Sequence, residues 1–171
     1  MARPAHQALV QGERSVTWGQ LDAMVDRVIV ELRDATTPSV IKASRSVWLQ
    51  RDGDVVDVNG TSPLSFAGLA AGNYFVTLRH RNHQGVMTLA AVGLSSAPGA
   101  IDFTNVATST YGTSATKTVG SVQTLYAGNA LRDASLKYTG SGNDRDPILV
   151  AVGSTTPNNS VSGYWREDVN M

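Results

Sequence analysis

The chain has 171 residues, its 14 acidic and 14 basic residues balance, and it contains no cysteine. This length suits one well-cored domain with appendages. The zero net charge excludes an overall field that would attract nucleic acid or an anionic membrane. The lack of cysteine excludes disulfides, thiolate nucleophiles and cysteine-type zinc sites. No apolar run is long enough for membrane insertion.

The N-terminal segment carries the signals of a helix. In "TWGQLDAMVDRV", Thr17 is a candidate N-cap and Gln20 follows three residues later, which is a capping-box spacing. Apolar residues then recur at helical spacing, at Leu21, Met24, Val25 and Val28. We therefore predict an amphipathic helix that ends near residue 28.

From residue 29 the apolar pattern alternates, which is typical of strands. Residues 28–34 are the first predicted strand, and "SRSVWLQRDGDVVDVNG" predicts two strands joined by a turn at Asp52 and Gly53. Residues 74–80 follow a turn at Ala71 and Gly72 and predict the clearest strand. Its two faces carry Tyr74, Val76, Leu78 and His80 on one side and Phe75, Thr77, Arg79 and Arg81 on the other.

Further strands are predicted at residues 86–94, 101–106 and 121–127, and residues 108–120 predict a long loop or a weak strand pair. Asp146 and Pro147 then suit the N-cap and first position of a short helix that Gly153 closes. Short strands at near-regular spacing indicate a mainly β protein, an antiparallel β-sandwich with an N-terminal helix and a short C-terminal helix.

Two parts of the chain resemble different families. "RPAHQALVQGERSVTWGQLDAMVDRV" resembles the N-terminal start of AMP-forming acyl-CoA synthetases. The phosphate loop and later catalytic motifs of that family are missing from the sequence, so the resemblance does not imply adenylation here.

The rest resembles haemagglutinin-like or adhesin-like modules of large secreted Bacteroidetes surface proteins. The residues that carry this resemblance are "VELRDATTPSVIKASRSVWLQRDGDVVDVNGTSPLSFAGLAAGNYFVTLRHRNHQGVMT" and "KYTGSGNDRDPILVAVGSTTPNNSVSGYWREDVNM". It implies a prealbumin-like or immunoglobulin-like sandwich followed by a calcium-dependent, dockerin-like segment. We therefore expect three parts, at residues 1–28, 29–127 and 128–171, in a chimeric or truncated reading frame, although a natural fusion remains an alternative.

The dockerin-like segment contains the candidate metal site, "NALRDASLKYTGSGNDRDP". Calcium prefers six to eight oxygen ligands on a tight loop. The side chains that offer them are Asn129, Asp133, Ser135, Asn143, Asp144 and Asp146. Leu131 replaces a ligand of the family pattern and nearby basic residues offset the aspartates, so weak, structural calcium binding is expected. The alternative is a polar loop in which Asp144 and Asp146 only cap a helix.

Two clusters suggest chemistry. "RHRNH" holds His80 and His83, whose spacing suits two metal ligands or a general base. Asp54 and Asp57 lie close together at the predicted hairpin. The alternatives are a histidine satisfied within the sheet and solvated acids at a turn. No Gly-x-Ser-x-Gly nucleophile motif is present.

Two functions remain open from the sequence. The first is a non-catalytic, calcium-assisted adhesion or assembly module with a glycan or protein partner. The second is a calcium-dependent hydrolase of small esters, lactones or glycosides that uses His80, His83, Asp54 and Asp57. Unpaired sheet edges also predict a homodimer. The first residues lack a signal peptide whereas the body resembles secreted modules, so localisation stays open.

Overall fold

The computed structural model describes residues 7–11, 14–17, 24–81, 83–97, 99–153, 155, 158–162 and 165–167. The described chain is mainly β, with one helix. The strands are β1 Gln7–Gln11, β2 Arg14–Thr17, β3 Met24–Asp34, β4 Ile41–Gln50, β5 Val55–Val56, β6 Gly72–His80, β7 Val86–Met87, β8 Val92–Leu94, β9 Lys117–Val119 and β10 Val122–Thr124. The helix, α1, is Arg145–Val152.

An antiparallel sheet of six strands forms the body of the described chain. The order is β5-β4-β3-β6, and both β7 and β8 pair with the outer edge of β6. Two separate hairpins, β1–β2 and β9–β10, lie outside this sheet. The central strand β3 is therefore hydrogen-bonded along both of its edges.

Alternation along β3 explains the apolar core. Val28, Val30 and Leu32 point to the same face and are each at most 6% exposed. Val47 of β4 and Val76 of β6 complete the buried cluster. The two faces predicted for residues 74–80 are confirmed by the register of β6 on β3.

The layer over this apolar face is built from loops as well as strands. Partly buried side chains from residues 63–71, from β8 and from the segment that follows it pack against the cluster, namely Leu64, Phe66, Leu69, Val92, Leu94 and Ile101. The prediction of an antiparallel, mainly β fold is confirmed by the strand pairing. The loops and strands that cover the apolar face act as the second layer of a curled sheet or sandwich does.

The opposite face of the sheet holds a buried ion pair. Glu31 is 6% exposed, and its carboxylate accepts hydrogen bonds from Arg33 at 2.5 and 3.0 Å. Arg79 of β6 approaches the same carboxylate at 3.7 Å. Phe75 and Thr77 on this face are also buried. This face is therefore only partly covered, since Ile29 beside them is 41% exposed.

The strand predicted at residues 86–94 is divided into β7 and β8. Between β7 and β8, Thr88 bonds to Val76 of β6. Its N–H donates to Val76 O at 3.0 Å, and its hydroxyl accepts from Val76 N at 3.2 Å. The register shifts by two residues across this point, from Thr77↔Met87 to Tyr74↔Val92. The prediction of one continuous strand was wrong because a side-chain hydrogen bond replaced a ladder bond.

The described part of the predicted N-terminal helix is β-structure. Thr17 ends β2, and Met24, Val25 and Val28 lie in β3. The central residues of that prediction, 18–23, lie outside the described residues. Strand β3 also runs across residue 28, where the first boundary between parts was predicted. The helix prediction was wrong for these positions because pairing with two neighbouring strands outweighs local helical spacing.

Two other predicted strands are also corrected. Residues 101–106 form turns, since Asp102 Oδ1 accepts from the N–H and hydroxyl of Thr104 at 2.8 and 2.7 Å. Only Val122–Thr124 of the strand predicted at residues 121–127 is extended. It pairs as a hairpin with Lys117–Val119, which lies in the region predicted as a long loop or a weak strand pair.

Helix α1 begins two residues before the predicted start. Asn143 Oδ1 accepts from Asp146 N at 2.9 Å, so Asn143 and not Asp146 supplies the capping oxygen. Gly153 closes the helix with φ of 112°, as predicted, and its N–H reaches Leu149 O and Val150 O. No helix among the described residues combines the length and apolar character that crossing a bilayer requires.

Candidate functional site

Asp26, His80 and His83 form a hydrogen-bonded row at one end of the sheet. Val28 of β3 lies directly opposite His80 of β6, so Asp26, two residues earlier on the same face, is a diagonal neighbour of His80. Asp26 Oδ2 lies 2.8 Å from His80 Nε2. His83 follows the end of β6, and its Nδ1 lies 2.8 Å from His80 Nδ1.

The donor and acceptor atoms of this row follow from the fact that the Asp26 carboxylate can only accept hydrogen bonds. A carboxylate accepts only, so His80 carries a hydrogen on Nε2 and donates it to Asp26. Neutral His80 then has an acceptor at Nδ1, and His83 donates from its own Nδ1. The two rings meet edge to face, with centroids 4.6 Å apart and an interplanar angle of 75°. Asp26 thereby fixes the tautomer of His80, and His80 fixes that of His83.

Burial sets the electrostatics of the row. The His80 side chain is 9% exposed and that of Asp26 is 24% exposed. Partial burial lowers the pKa of His83, and the neighbouring His80 lowers it further, while the Asp26 carboxylate opposes both effects. His83 therefore favours its neutral form, in which one ring nitrogen is an acceptor.

The two aspartates predicted to act with these histidines lie elsewhere. Asp57 is paired with Arg45, its carboxylate oxygens 2.5 and 2.8 Å from the guanidinium nitrogens. Asp54 is exposed in the β4–β5 turn. Strands β5 and β6 are three positions apart in the sheet, about 14 Å at ordinary strand spacing. The structure therefore brings His80 and His83 together and leaves Asp54 and Asp57 outside hydrogen-bond reach.

The row lies where the sheet meets the C-terminal part of the chain. His83 forms a β-bridge with Ala127, and Gln84 N donates to Tyr126 O at 2.8 Å. On the other face of β6, Arg79 Nη2 donates to Arg132 O at 3.3 Å. The end of β6 is therefore the attachment point for residues 126–132.

The predicted calcium loop is organised around a buried carboxylate. Asp144 is 4% exposed. Its Oδ1 accepts from Leu131 N at 3.1 Å and its Oδ2 from Lys137 N at 2.9 Å. Asn129, which is 2% exposed, bonds both the N–H and the carbonyl of Asp133. These two side chains hold opposite sides of the loop together.

The other predicted ligands also engage protein donors. Asp133 Oδ1 accepts from Ser135 N and hydroxyl at 2.8 and 3.1 Å. Asn143 donates to Asp146 Oδ2 at 2.8 Å, and Arg145 donates to Asp146 Oδ1 at 3.0 Å. Within the described ranges, no group of three or more His, Asp or Glu side chains is arranged to hold a metal ion. A calcium ion would have to use the second lone pairs of these oxygens.

Asp26 is the site residue that the sequence predictions missed. The segment "MVDRVIVELRD" was assigned partly to a helix, which placed Asp26 on a polar helical face. A two-residue period extended back to Met24 puts Asp26 on the same strand face as Val28. Its contact with His80 also needs the antiparallel register of two strands about fifty residues apart, which the pattern alone does not specify.

Comparison of the chain with protein-family models, with curated proteins and with solved structures finds no match.

Removing the buried carboxylate of the loop is predicted to destabilise the protein without any metal present. Asp144→Ala leaves the N–H groups of Leu131 and Lys137 without their acceptor, each at a cost of about 1–3 kcal/mol when buried. Urea unfolding in EGTA should therefore show a loss of at least about 2 kcal/mol. Asp146→Ala is the matched control, with a clearly smaller loss, because its side chain is 55% exposed. Equal losses for the two variants would contradict this account.

The lowered pKa of His83 predicts a pH dependence of stability. The unfolded side chain takes up a proton near pH 6.5, and the folded one only at lower pH. The unfolded state binds more protons in this window, so the free energy of unfolding falls as the pH falls below about 7. Urea unfolding in EDTA between pH 7.5 and 5.5 should show a shallower fall for His83→Gln than for wild type. Identical slopes would show that His83 is not perturbed by folding.

Proposed function

We propose that the chain is a non-catalytic β module used in adhesion or assembly at a surface, with residues 128–171 as its contact segment. The observation that carries this proposal is the exposure of helix α1 to solvent. Its ends are fixed by Asn143 and Gly153, yet none of its residues is buried. Within "PILVAV", Val150 is 67% exposed.

The neighbouring loop extends this accessible surface. Tyr138 is 75% exposed, and the Arg145 guanidinium lies 5.3 Å from the centre of its ring. An aromatic side chain held by a cation is suited to pack on a sugar or on a protein side chain. Because buried Asn129, Asn143 and Asp144 hold the loop, these groups are presented on a firm support, which lowers the entropic cost of binding.

The finer parts of the proposal come from the resemblance to adhesin-like modules. They are a prealbumin-like or immunoglobulin-like arrangement of the sandwich, a dockerin-like role for residues 128–171, and weak calcium binding in the loop. A homodimer through sheet edges also stays a prediction. The backbone of Met87 and Leu89 already bonds residues 109–111, and Val56 of β5 is bridged to Pro63, so such a dimer would need another edge.

Binding should depend on the exposed groups of the contact segment. We expect the full chain to be retained on a glycan or protein array, and Tyr138→Ser combined with Val150→Ser to lose most of that retention. Tyr111→Ser is the matched control, since Tyr111 is 55% exposed but lies outside the segment. Retention that is unchanged in the double variant, or equally reduced in the control, would contradict the proposal.

Calcium dependence is tested on the same protein by melting in EGTA and in ~5 mM calcium. A site with a Kd of ~0.1–1 mM, as in extracellular modules, would add about 1–2 kcal/mol at this concentration. That corresponds to a rise of a few degrees in Tm. Asp133→Ala combined with Asp146→Ala should abolish the rise. No rise in the wild-type protein would remove calcium from the proposal.

A second candidate function is hydrolysis of small esters, lactones or glycosides, with calcium as a structural ion. It is favoured by the row of Asp26, His80 and His83, because a carboxylate that orients an imidazole is the arrangement of a general base. In this candidate function Asp26, and not Asp54 or Asp57, is the carboxylate beside the histidines. With p-nitrophenyl acetate in calcium, His83→Gln should lower the rate by about 10²-fold or more. A rate that is equal in His83→Gln and in the control His6→Gln would exclude this role.

A further inference from the structure

The two histidines of the row direct the same ring atom toward each other. The Nδ1 atoms of His80 and His83 are 2.8 Å apart, and the rings are edge to face rather than stacked. In the hydrogen bond between them one nitrogen carries the hydrogen, and once that hydrogen is displaced both lone pairs are available to one metal ion. The row therefore brings two imidazole donors close enough to bind one ion after a small rearrangement.

Asp26 supplies the partner that such a chelate requires. A histidine that binds a metal through one ring nitrogen almost always donates its other N–H to a carboxylate, a carbonyl or water. His80 Nε2 makes this contact with Asp26 Oδ2 at 2.8 Å, within a site where the His80 side chain is 9% exposed. The carboxylate orients the ring through Nε2 and leaves Nδ1 facing His83.

The distances fit after a small adjustment. Zinc–nitrogen bonds of about 2.0–2.1 Å at a tetrahedral angle require the two nitrogens to lie about 3.3 Å apart. The present separation would widen by about 0.5 Å, which a rotation of the His83 ring would have to supply. His83 would carry its hydrogen on Nε2 instead of Nδ1, and the bond between His80 and Asp26 would stay unchanged.

The donor type selects the ion. Neutral imidazole nitrogens suit zinc, copper and nickel, whereas calcium and magnesium prefer oxygen ligands. The row is also separate from the predicted calcium loop, which offers carboxylate and amide oxygens. An ion at the row would connect the end of β6 to the segment that carries the bridge between His83 and Ala127.

We propose that His80 and His83 bind one divalent transition-metal ion of the zinc type through their Nδ1 atoms, with Asp26 as the positioning carboxylate and water completing the coordination. The site goes beyond the proposed adhesion or assembly function and does not depend on it.

The test is a calorimetric titration of the tag-free, metal-stripped full chain with Zn²⁺, combined with ¹⁵N spectra of the histidine rings. We expect one ion per chain, a raised Tm, and shifts at Nδ1 of both His80 and His83. His83→Gln should weaken binding by more than about 100-fold, because a ligand is lost. Asp26→Asn should weaken it by about 10–100-fold, as removal of an outer carboxylate does.

Three controls make the result decisive. His6→Gln removes the only other histidine of the chain and should bind as wild type does. Calcium at the same concentration should leave the ring nitrogens of His80 and His83 unshifted. Circular dichroism and melting in EDTA establish that each variant is folded before it is titrated. The proposal is overturned if wild type does not bind Zn²⁺, if folded His83→Gln binds as tightly as wild type, or if binding is lost in His6→Gln instead.

Discussion

Pairing of the central strand β3 with β4 on one side and β6 on the other is the constraint on which the described structure depends. It places Val28, Val30 and Leu32 together on one face, where neighbouring strands and loops bury them. The same register sets Asp26 diagonally across from His80. The core and the candidate site are therefore two results of one alignment, since a shift by one residue would turn every side chain of β3 to the other face.

Charges on the opposite face make that alignment more specific. Glu31 is almost completely buried, and its carboxylate is satisfied by Arg33 of its own strand and approached by Arg79 of β6. Arg33 moves with Glu31 in any pairing of β3, so only the contact with Arg79 depends on the register of β6 on β3. Arg79 also donates to Arg132 O. One cation thus contributes both to the sheet and to the attachment of the C-terminal segment, on the face opposite the histidine row.

The strands with strict alternation could be predicted from the sequence, and the errors have identifiable causes. Met24 and Val28 are four residues apart, a spacing that suits one helical turn and two strand periods equally, so the helix and strand patterns were ambiguous there. At residues 101–106 the side chain of Asp102 accepts a hydrogen bond from Thr104 N, and this stabilises a turn instead of a strand. The histidine pair was visible in "RHRNH". Its carboxylate partner was not, because a contact between distant strands depends on register rather than on local pattern.

Asp26, His80 and His83 form one hydrogen-bonded row at the junction of the sheet and the C-terminal segment. The most direct measurement is a ¹⁵N–¹⁵N scalar coupling across the hydrogen bond between the two rings, recorded on metal-free protein at neutral pH. We expect a coupling between Nδ1 of His80 and Nδ1 of His83, with the hydrogen of His80 on Nε2. Two uncoupled histidines whose ring N–H groups exchange freely with water would contradict it.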